Sequence, residues 1–460
     1  MNNQCDVLII GGGPAGTTIG SFLSQKGWKV TLLEKDCHPR FHIGESLLPM
    51  NLPILERLGV LQQVEKIGVV KRGAEFNSKS ESTRRSTIYF RKAMDKSHPL
   101  AYQVKRSEFD EILFRNCQRI GVNALEGVRV RNVEFRPGDR HLVQAQHESG
   151  ESTTWETRFV IDASGRDTLL AKRFNIKEKN PHHNSAAIFG HFSGVQRRDG
   201  KDQGNISIYW FDHGWFWMIP LQEDVMSVGA VCFPDYLKTR RSSAKEFLWD
   251  TIRQCEGVRE RMKNARLISE AQATGNYAYT SQRAHGDGYL LVGDAFAFID
   301  PVFSSGVYLA MSTAEFGADT VDGCLRNPAK ATQLLSAHER RVRKGISLFS
   351  WFIYRFNTPA MHHLFMNKQN RFRIEEAMTS LLAGDVFRDT PLRRPIAIFK
   401  LLYYGIFMKQ LAKSWASYKR RAKNATMIFT GGTTQLDKSD INPELPKPAS
   451  VQVSEKKLTT

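Results

Sequence analysis

The stretch CDVLIIGGGPAGTTIGSFLSQKGWKVTLLEKD, residues 5–36, constrains the fold of this chain more than any other. Asp6 to Ile10 is an apolar, β-branched-rich run of the length expected for a buried strand. Gly11, Gly13 and Gly16 follow in G-x-G-x-x-G spacing, and then Ile19, Phe22 and Leu23 recur with a helical period. Gly27 ends that helix, and KVTLLE reads as a second strand closed by Glu34. A strand, a glycine turn, a helix and an acidic strand end together make the βαβ dinucleotide-binding unit. Gly11 permits the tight turn, Gly13 lets the backbone approach a pyrophosphate, and Gly16 lets the helix pack on the strand. Pro14 and Ala15 open the helix whose N-terminus stabilises the diphosphate charge, and Glu34 accepts from ribose hydroxyls. Lys35 and Arg40, just beyond, are assigned to the same site.

A length of 460 residues implies two to three structural units rather than one core. The net charge of +18 calls for a negatively charged partner or surface, and it is unevenly spread. Between Thr390 and Leu436 there are nine Lys/Arg and no Asp/Glu. No zinc-finger, RNA-recognition or helix-turn-helix signature accompanies this charge, which argues against nucleic acid. The basic stretch IAIFKLLYYGIFMKQLAKSWASYKRR is amphipathic. It fits a helix packed on the dinucleotide domain, docking of an acidic carrier protein, or peripheral contact with a membrane surface. The six cysteines are scattered without metal-type spacing and read as reduced thiols, and no metal site is expected. Neither a secretory leader nor an apolar run of membrane-spanning length is evident, so a cytoplasmic location is expected.

The strand and helix patterns give an α/β (α+β) chain. Strands near Cys5, Val30, Val160 and Leu291 belong to a discontinuous dinucleotide domain over residues 1–75, 100–180 and 270–330. RVRNVEFRPGDRHLVQAQ alternates as a half-exposed hairpin. NISIYWFDHGWFWMIPLQEDVMSVGAVCF reads as three strands of an inserted antiparallel β-sheet domain, residues 76–99 and 181–269. A helical subdomain over 331–430 and a disordered tail over 431–460 complete the chain.

Three further motifs sharpen this reading. YLLVGDAF puts Gly293 and Asp294 at a strand end, VIDASGR puts Asp162 and Gly165 at another, and YQVKRSEFDEIL places Arg106 before Phe109 and Asp110. Together with the glycine loop they resemble the flavoprotein monooxygenase superfamily of glutathione-reductase-like fold. That resemblance implies FAD, with Asp294 on the ribityl chain. GWFWMIP supplies Trp215, Trp217 and Ile219, and FIDPVFSSGV supplies Phe298, Pro301, Ser304 and Gly306. With FHIGESLLPMNLPILERLGV, residues 41–60, these stretches resemble the flavin-dependent halogenases, and among them those of pyrroles and phenols.

A small-residue loop leading into a helix can aim successive backbone N–H groups at one anion. The resemblance implies that Ser305 and Gly306 hold chloride or bromide there, with Pro301, Gly306 and Val307 also against the flavin and Phe303 excluding water. It further implies that reduced FAD and O2 oxidise halide to hypohalous acid, and that a lysine passes the halogen to an electron-rich aromatic ring. Lys71 in VVKRGAEFNSK stands in the matching context, behind an apolar pair, with Lys79 as the fallback. Ser46 is assigned to the cofactor and Glu45 to proton transfer. Trp215 and Trp217 would separate flavin from substrate; as ordinary sheet-core aromatics they would equally be buried. A separate flavin reductase and a small aromatic substrate, carried on an acidic acyl or peptidyl carrier protein, are the implied partners. A flavin hydroxylase, or a flavin-dependent reductase of an aromatic or isoprenoid substrate, is the competing reading.

Overall fold

The computed structural model describes residues 3–78, 84–181, 183–275, 278–368 and 370–426; Lys79 and the stretch 431–460 lie outside the described residues. Strand Gln4–Ile10 is the centre of the first sheet. It pairs in parallel with Val30–Leu33 on one side and with Ser152–Asp162 on the other. Asn123–Leu125 and Tyr289–Leu291 extend the sheet outwards, also in parallel. Parallel neighbours need crossover connections, and helix Pro14–Gln25 supplies the first of them. The central strand is therefore covered on both faces. Val7 and Ile9 face a core shared with helices Pro14–Gln25, Arg106–Arg119 and Ser305–Arg326. Leu8 and Ile10 face the hairpin Val128–Glu134/His141–His147 on the other side. Alternation of side chains along an extended strand divides these two sets.

The second sheet contains the three strands expected from its sequence: Ile206–Phe211, Gly214–Pro220 and Met226–Cys232, paired antiparallel. Ala186–Ser193 extends it on one side. Gly73–Asn77 pairs in parallel with Ile206–Phe211 on the other, so the second sheet begins at Gly73 and not at residue 76. A Cβ at Gly73 would collide with the Ile88 carbonyl of the adjoining strand, which fixes this register. A short ribbon, Val69–Lys71 against Ala101–Gln103, ties the two sheets together.

From Ser305 through Thr426 the elements of the described residues are all helical. Helix Arg393–Lys409 does not pack on the dinucleotide domain. Its Ile396, Phe399 and Tyr403, at helical spacing, join Trp210, Trp215 and Phe356 in the core under the second sheet. Among the described residues, no helix is long and apolar enough to cross a membrane.

Candidate active site

The cradle begins at the glycine loop. A Cβ on Gly16 would strike the Gly11 carbonyl, and one on Gly11 would strike Ala163, so both residues serve close packing. Gly13 is different: its Cβ would meet only Arg40 Nη2, at 3.7 Å, leaving room for a ligand at the helix N-terminus. Glu34 Oε2 accepts from the Gly12 N–H at 2.5 Å and from Arg40 Nη2 at 3.4 Å. Arg40 also meets Asp110 at 3.4 Å, and its buried Nε has no partner among the described residues. Arg106 grips Asp110 with two bonds, 2.8 and 2.9 Å, and donates to the Ile43 carbonyl at 2.8 Å. Lys35 lies at the rim, paired with Asp167 at 2.7 Å.

Asp162 takes a role that its motif concealed. Its two oxygens accept from Ser164 N at 2.9 Å and Leu170 N at 2.7 Å, so it is committed to shaping the loop that carries Gly165 rather than to a ligand. Asp294 remains available. Burial pushes its carboxyl up to about 6, against the opposing pull of Arg166 and Arg106. Gly293 lies between Ala15 and Ala310, where a Cβ would come within 3.2–3.3 Å of each. Gly293, and Asp294 after it, thus lie against the first turn of helix Pro14–Gln25 and the second turn of helix Ser305–Arg326. An open glycine turn, an orphaned Arg40 nitrogen and a carboxyl beside the N-terminal halves of two helices suit an extended dinucleotide such as FAD.

At the N-terminus of the second of those helices, Ser304 turns the chain in the left-handed conformation, φ 57°, and the helix starts at Ser305. Among the described residues, the fully buried Ser305 hydroxyl has no partner and a Cβ on Gly306 would meet nothing within 4 Å. The first-turn N–H groups of Ser305, Gly306 and Val307 have no acceptor within their helix. Phe303 closes the flank of this turn, edge-on to Phe356 at 5.6 Å.

Lys71 ends the connecting ribbon. Alternation turns Val70 out, 39% exposed, and Lys71 in, 1% exposed. Its Nζ donates to Ser46 Oγ at 2.8 Å and to the Leu47 carbonyl at 2.9 Å, and lies 5.3 Å from the Phe90 ring. No carboxylate pairs with it among the described residues, and burial drives its pKa down to about 7. Ser46 is thereby a partner of the lysine, a role not assigned from sequence. Next to it, the buried Glu45 holds His191 Nε2 through Oε1 at 2.6 Å, while Oε2 is unpartnered.

Trp215 and Trp217, two residues apart, face the same side of their strand, with ring centroids 6.0 Å apart. Trp217 donates to Ser227 Oγ at 3.1 Å, and its ring fills the space that a side chain at Gly229 would take. Both tryptophans share one core cluster with Val302 and Phe303 of the loop before Ser305. The sequence reading missed two supports. Asp300 accepts from Val302 N at 3.1 Å and from Ser185 Oγ at 2.9 Å, and meets His183 Nε2 at 2.8 Å, anchoring the loop. An Asp immediately before a Pro is a helix-start signal that could have flagged it. His191 carried no such signal.

Residues 4–349 match the FAD binding domain family. A 1H-pyrrole-2-carbonyl-[peptidyl-carrier protein] chlorinase of Pseudomonas fluorescens is 30% identical over 84% of this chain and 90% of its own length. The myxobacterial chondrochloren halogenase, an FAD-dependent enzyme of known structure, is 31% identical with a TM-score of 0.73 over 85% of this chain and 92% of that one. A flavoprotein/dehydrogenase of Cytophaga hutchinsonii superimposes with a TM-score of 0.80 at 29% identity, over 88% of this chain and all of that one.

Proposed function

We propose, from the premise that this chain belongs to the flavin-dependent halogenase family of FAD-binding proteins, that Lys71 is the group that hands halogen to the substrate ring. The activity is halogenation of an aromatic compound, with FAD as cofactor and halide as co-substrate. When bound, reduced FAD with O2 supplies the oxidising power that turns halide into hypohalous acid. The chain's own residues do the rest. Ser305 and Gly306 N–H groups hold the halide, and Phe303 and the tryptophan pair keep water and substrate away from the flavin side.

The observation that carries this reading is Lys71 itself: buried, uncompensated and held by Ser46 and Leu47 with a pKa near 7. A substantial share of the amine is then neutral at neutral pH and nucleophilic. Its nitrogen attacks the halogen of hypohalous acid; the N–X bond forms, the O–X bond breaks, and one amine proton leaves with hydroxide as water. The ring carbon then attacks the halogen, the N–X bond breaks, and the ring proton returns to the amine through Glu45 Oε2. Lysine and carboxylate are both restored.

The substrate is a pyrrole or phenol, carried as an acyl group on an acidic carrier protein. The similarity to the pyrrole-carbonyl carrier-protein chlorinase along most of both chains supports this. Membership of the halogenase family, together with a single G-x-G-x-x-G strand-turn-helix unit in the sequence, supports delivery of reduced flavin by a separate reductase. The test is single-turnover reaction of photoreduced holoenzyme with O2 and bromide, offering pyrrole-2-carbonyl carrier protein and, separately, monochlorodimedone. Wild type brominates both. Lys71→Ala brominates only the trap, because hypobromous acid still forms and escapes. Unchanged pyrrole bromination by Lys71→Ala would refute the assignment.

A further inference from the structure

Helix Arg393–Lys409 is apolar on two faces, and only one is covered. The inner stripe of Ile396, Phe399 and Tyr403 is buried. Opposite it, Leu401 is 73% exposed, Met408 64% and Tyr404 47%, again at helical spacing. Helix Leu411–Thr426 continues this surface with Leu411, Trp415 and Tyr418, each more than 40% exposed, the last two stacked at 5.4 Å. Seven residues apart on each helix, these side chains form a continuous outward stripe of a kind that water-facing helices avoid.

The charge around the stripe selects its occupant. Residues 390–436 carry nine Lys/Arg and no Asp/Glu. Arg420 is ion-paired to Asp235, but Arg393, Arg394, Lys409, Lys413 and Lys419 pair with no carboxylate among the described residues. A second copy of this chain would bring the same cations face to face and be repelled. At the stripe's edge an aromatic groove opens between Tyr404 and Trp415, and Arg355 and Arg421 both line it. Neither guanidinium has a carboxylate partner among the described residues, and Arg421 is held below the ordinary arginine range by burial and by the facing Arg355. Two like charges in one aromatic groove suit an anionic head group. Leu and Met at the crest, Trp and Tyr beside them and lysines at the margin are the distribution of an interfacial helix.

We propose that helices Arg393–Lys409 and Leu411–Thr426 form a docking surface for an anionic lipid bilayer, with a lipid phosphate received between Arg355 and Arg421. This does not rest on Lys71 or on turnover, and its test reads binding alone. Full-chain holoenzyme is co-sedimented with vesicles of phosphatidylcholine, with or without phosphatidylglycerol. Binding is expected on the phosphatidylglycerol vesicles, and high salt should weaken it. Leu401→Glu with Met408→Glu should abolish it with FAD content unchanged, and Arg355→Gln with Arg421→Gln should weaken it about tenfold. No binding to phosphatidylglycerol vesicles at low salt overturns the proposal, as does binding that the Leu401→Glu/Met408→Glu variant retains. Two other results overturn it as well: capture of a purified acidic acyl carrier protein on this face without vesicle binding, or a dimer in light scattering that the same double variant dissolves.

Discussion

Arg106 and Lys71 are both cations shut away from water, 6% and 1% exposed, yet their surroundings treat them oppositely. Arg106 lies in the dinucleotide cradle beside Arg40, and both are answered by Asp110, with Glu34 on the far side. Its charge is fixed. Lys71 lies in the ribbon between the sheets and, among the described residues, has a hydroxyl, a carbonyl and an aromatic ring beside it but no carboxylate. Its charge is left to be lost. A region that must hold a cofactor's anionic groups keeps its cations permanently charged, whereas a region that must exchange a proton at neutral pH withholds the counter-ion. The two regions are joined by Glu45 to Leu47, whose backbone pairs with Tyr102 to Val104 just before Arg106.

Lys71→Met breaks this comparison most sharply, because activity and stability should move in opposite directions. Transfer to the aromatic substrate should fall by ~100-fold or more, because no amine remains to form the N–X bond. Stability should rise. The folded pKa near 7 lies below the unfolded value of 10.5, so the unfolded chain binds more protons between these values. The cost of burying the ammonium is thus fully present below pH 7 and fades as pH rises towards 10.5, amounting to at most about 5 kcal/mol. Urea unfolding at pH 6 and pH 9 should show a clear gain at pH 6 and a smaller one at pH 9. A loss at both would mean that the ammonium is compensated after all.

Asp110→Asn tests the other side. Burial alone would raise the Asp110 carboxyl, but Arg106 and Arg40 hold it below the usual range. Its folded pKa is depressed, so its contribution is present above about pH 4 and lost as pH falls through the folded value. Removing the charge at pH 7 should cost about 3–5 kcal/mol, as for other broken buried pairs, and should release FAD on unfolding. Denaturant midpoints followed by flavin fluorescence check this. The stability–pH profiles of the two variants should differ from wild type in separate windows, acid for Asp110 and alkaline for Lys71.

Gly229→Ala sharpens the geometric half of the comparison. Its Cβ would occupy the position of the Trp217 ring, forcing the indole to shift within a packed sheet at a cost of about 1–3 kcal/mol. Halogenated product per O2 consumed should fall while FAD binding holds, since the cradle lies in the other sheet. A coupling ratio equal to wild type would make Trp217 a filler of the core.

How much of this could be read from the sequence follows the same division. The cradle is a matter of backbone close approach, and glycines at fixed spacing announce that locally, as Gly11, Gly13 and Gly16 do. The buried lysine was legible only through its apolar neighbours Val69 and Val70 and the resemblance of its surroundings. What stayed hidden was which groups pair, whether nearby or across the chain. Asp162 closes on its own loop, Ser46 serves Lys71, and His191 reaches Glu45 across 146 residues. Helix Arg393–Lys409 fitted the dinucleotide domain, a carrier protein or a membrane equally in sequence, because amphipathicity names a buried face without naming what buries it.

Glu45→Gln is the smallest of these changes and asks how far the lysine acts alone. The substitution keeps the side chain's size and leaves one oxygen able to accept from His191, so the fold and the Lys71 contacts should persist. It removes a carboxylate whose second oxygen has no partner and therefore stands ready to take a proton. If the ring proton passes through that oxygen, transfer should slow by about tenfold, at the low end for such groups. The slowing should be accompanied by a ring-deuterium isotope effect larger than in wild type, because removal of the ring proton would then limit the step. In the wild type, the transfer rate should rise as pH increases through about 7, the Lys71 value, and then level off as the neutral amine becomes the dominant form. The Glu45→Gln profile should keep that midpoint at a lower plateau. A midpoint that moves with the substitution would instead make Glu45 the group that sets the lysine's protonation, despite the absence of a direct ion pair between them.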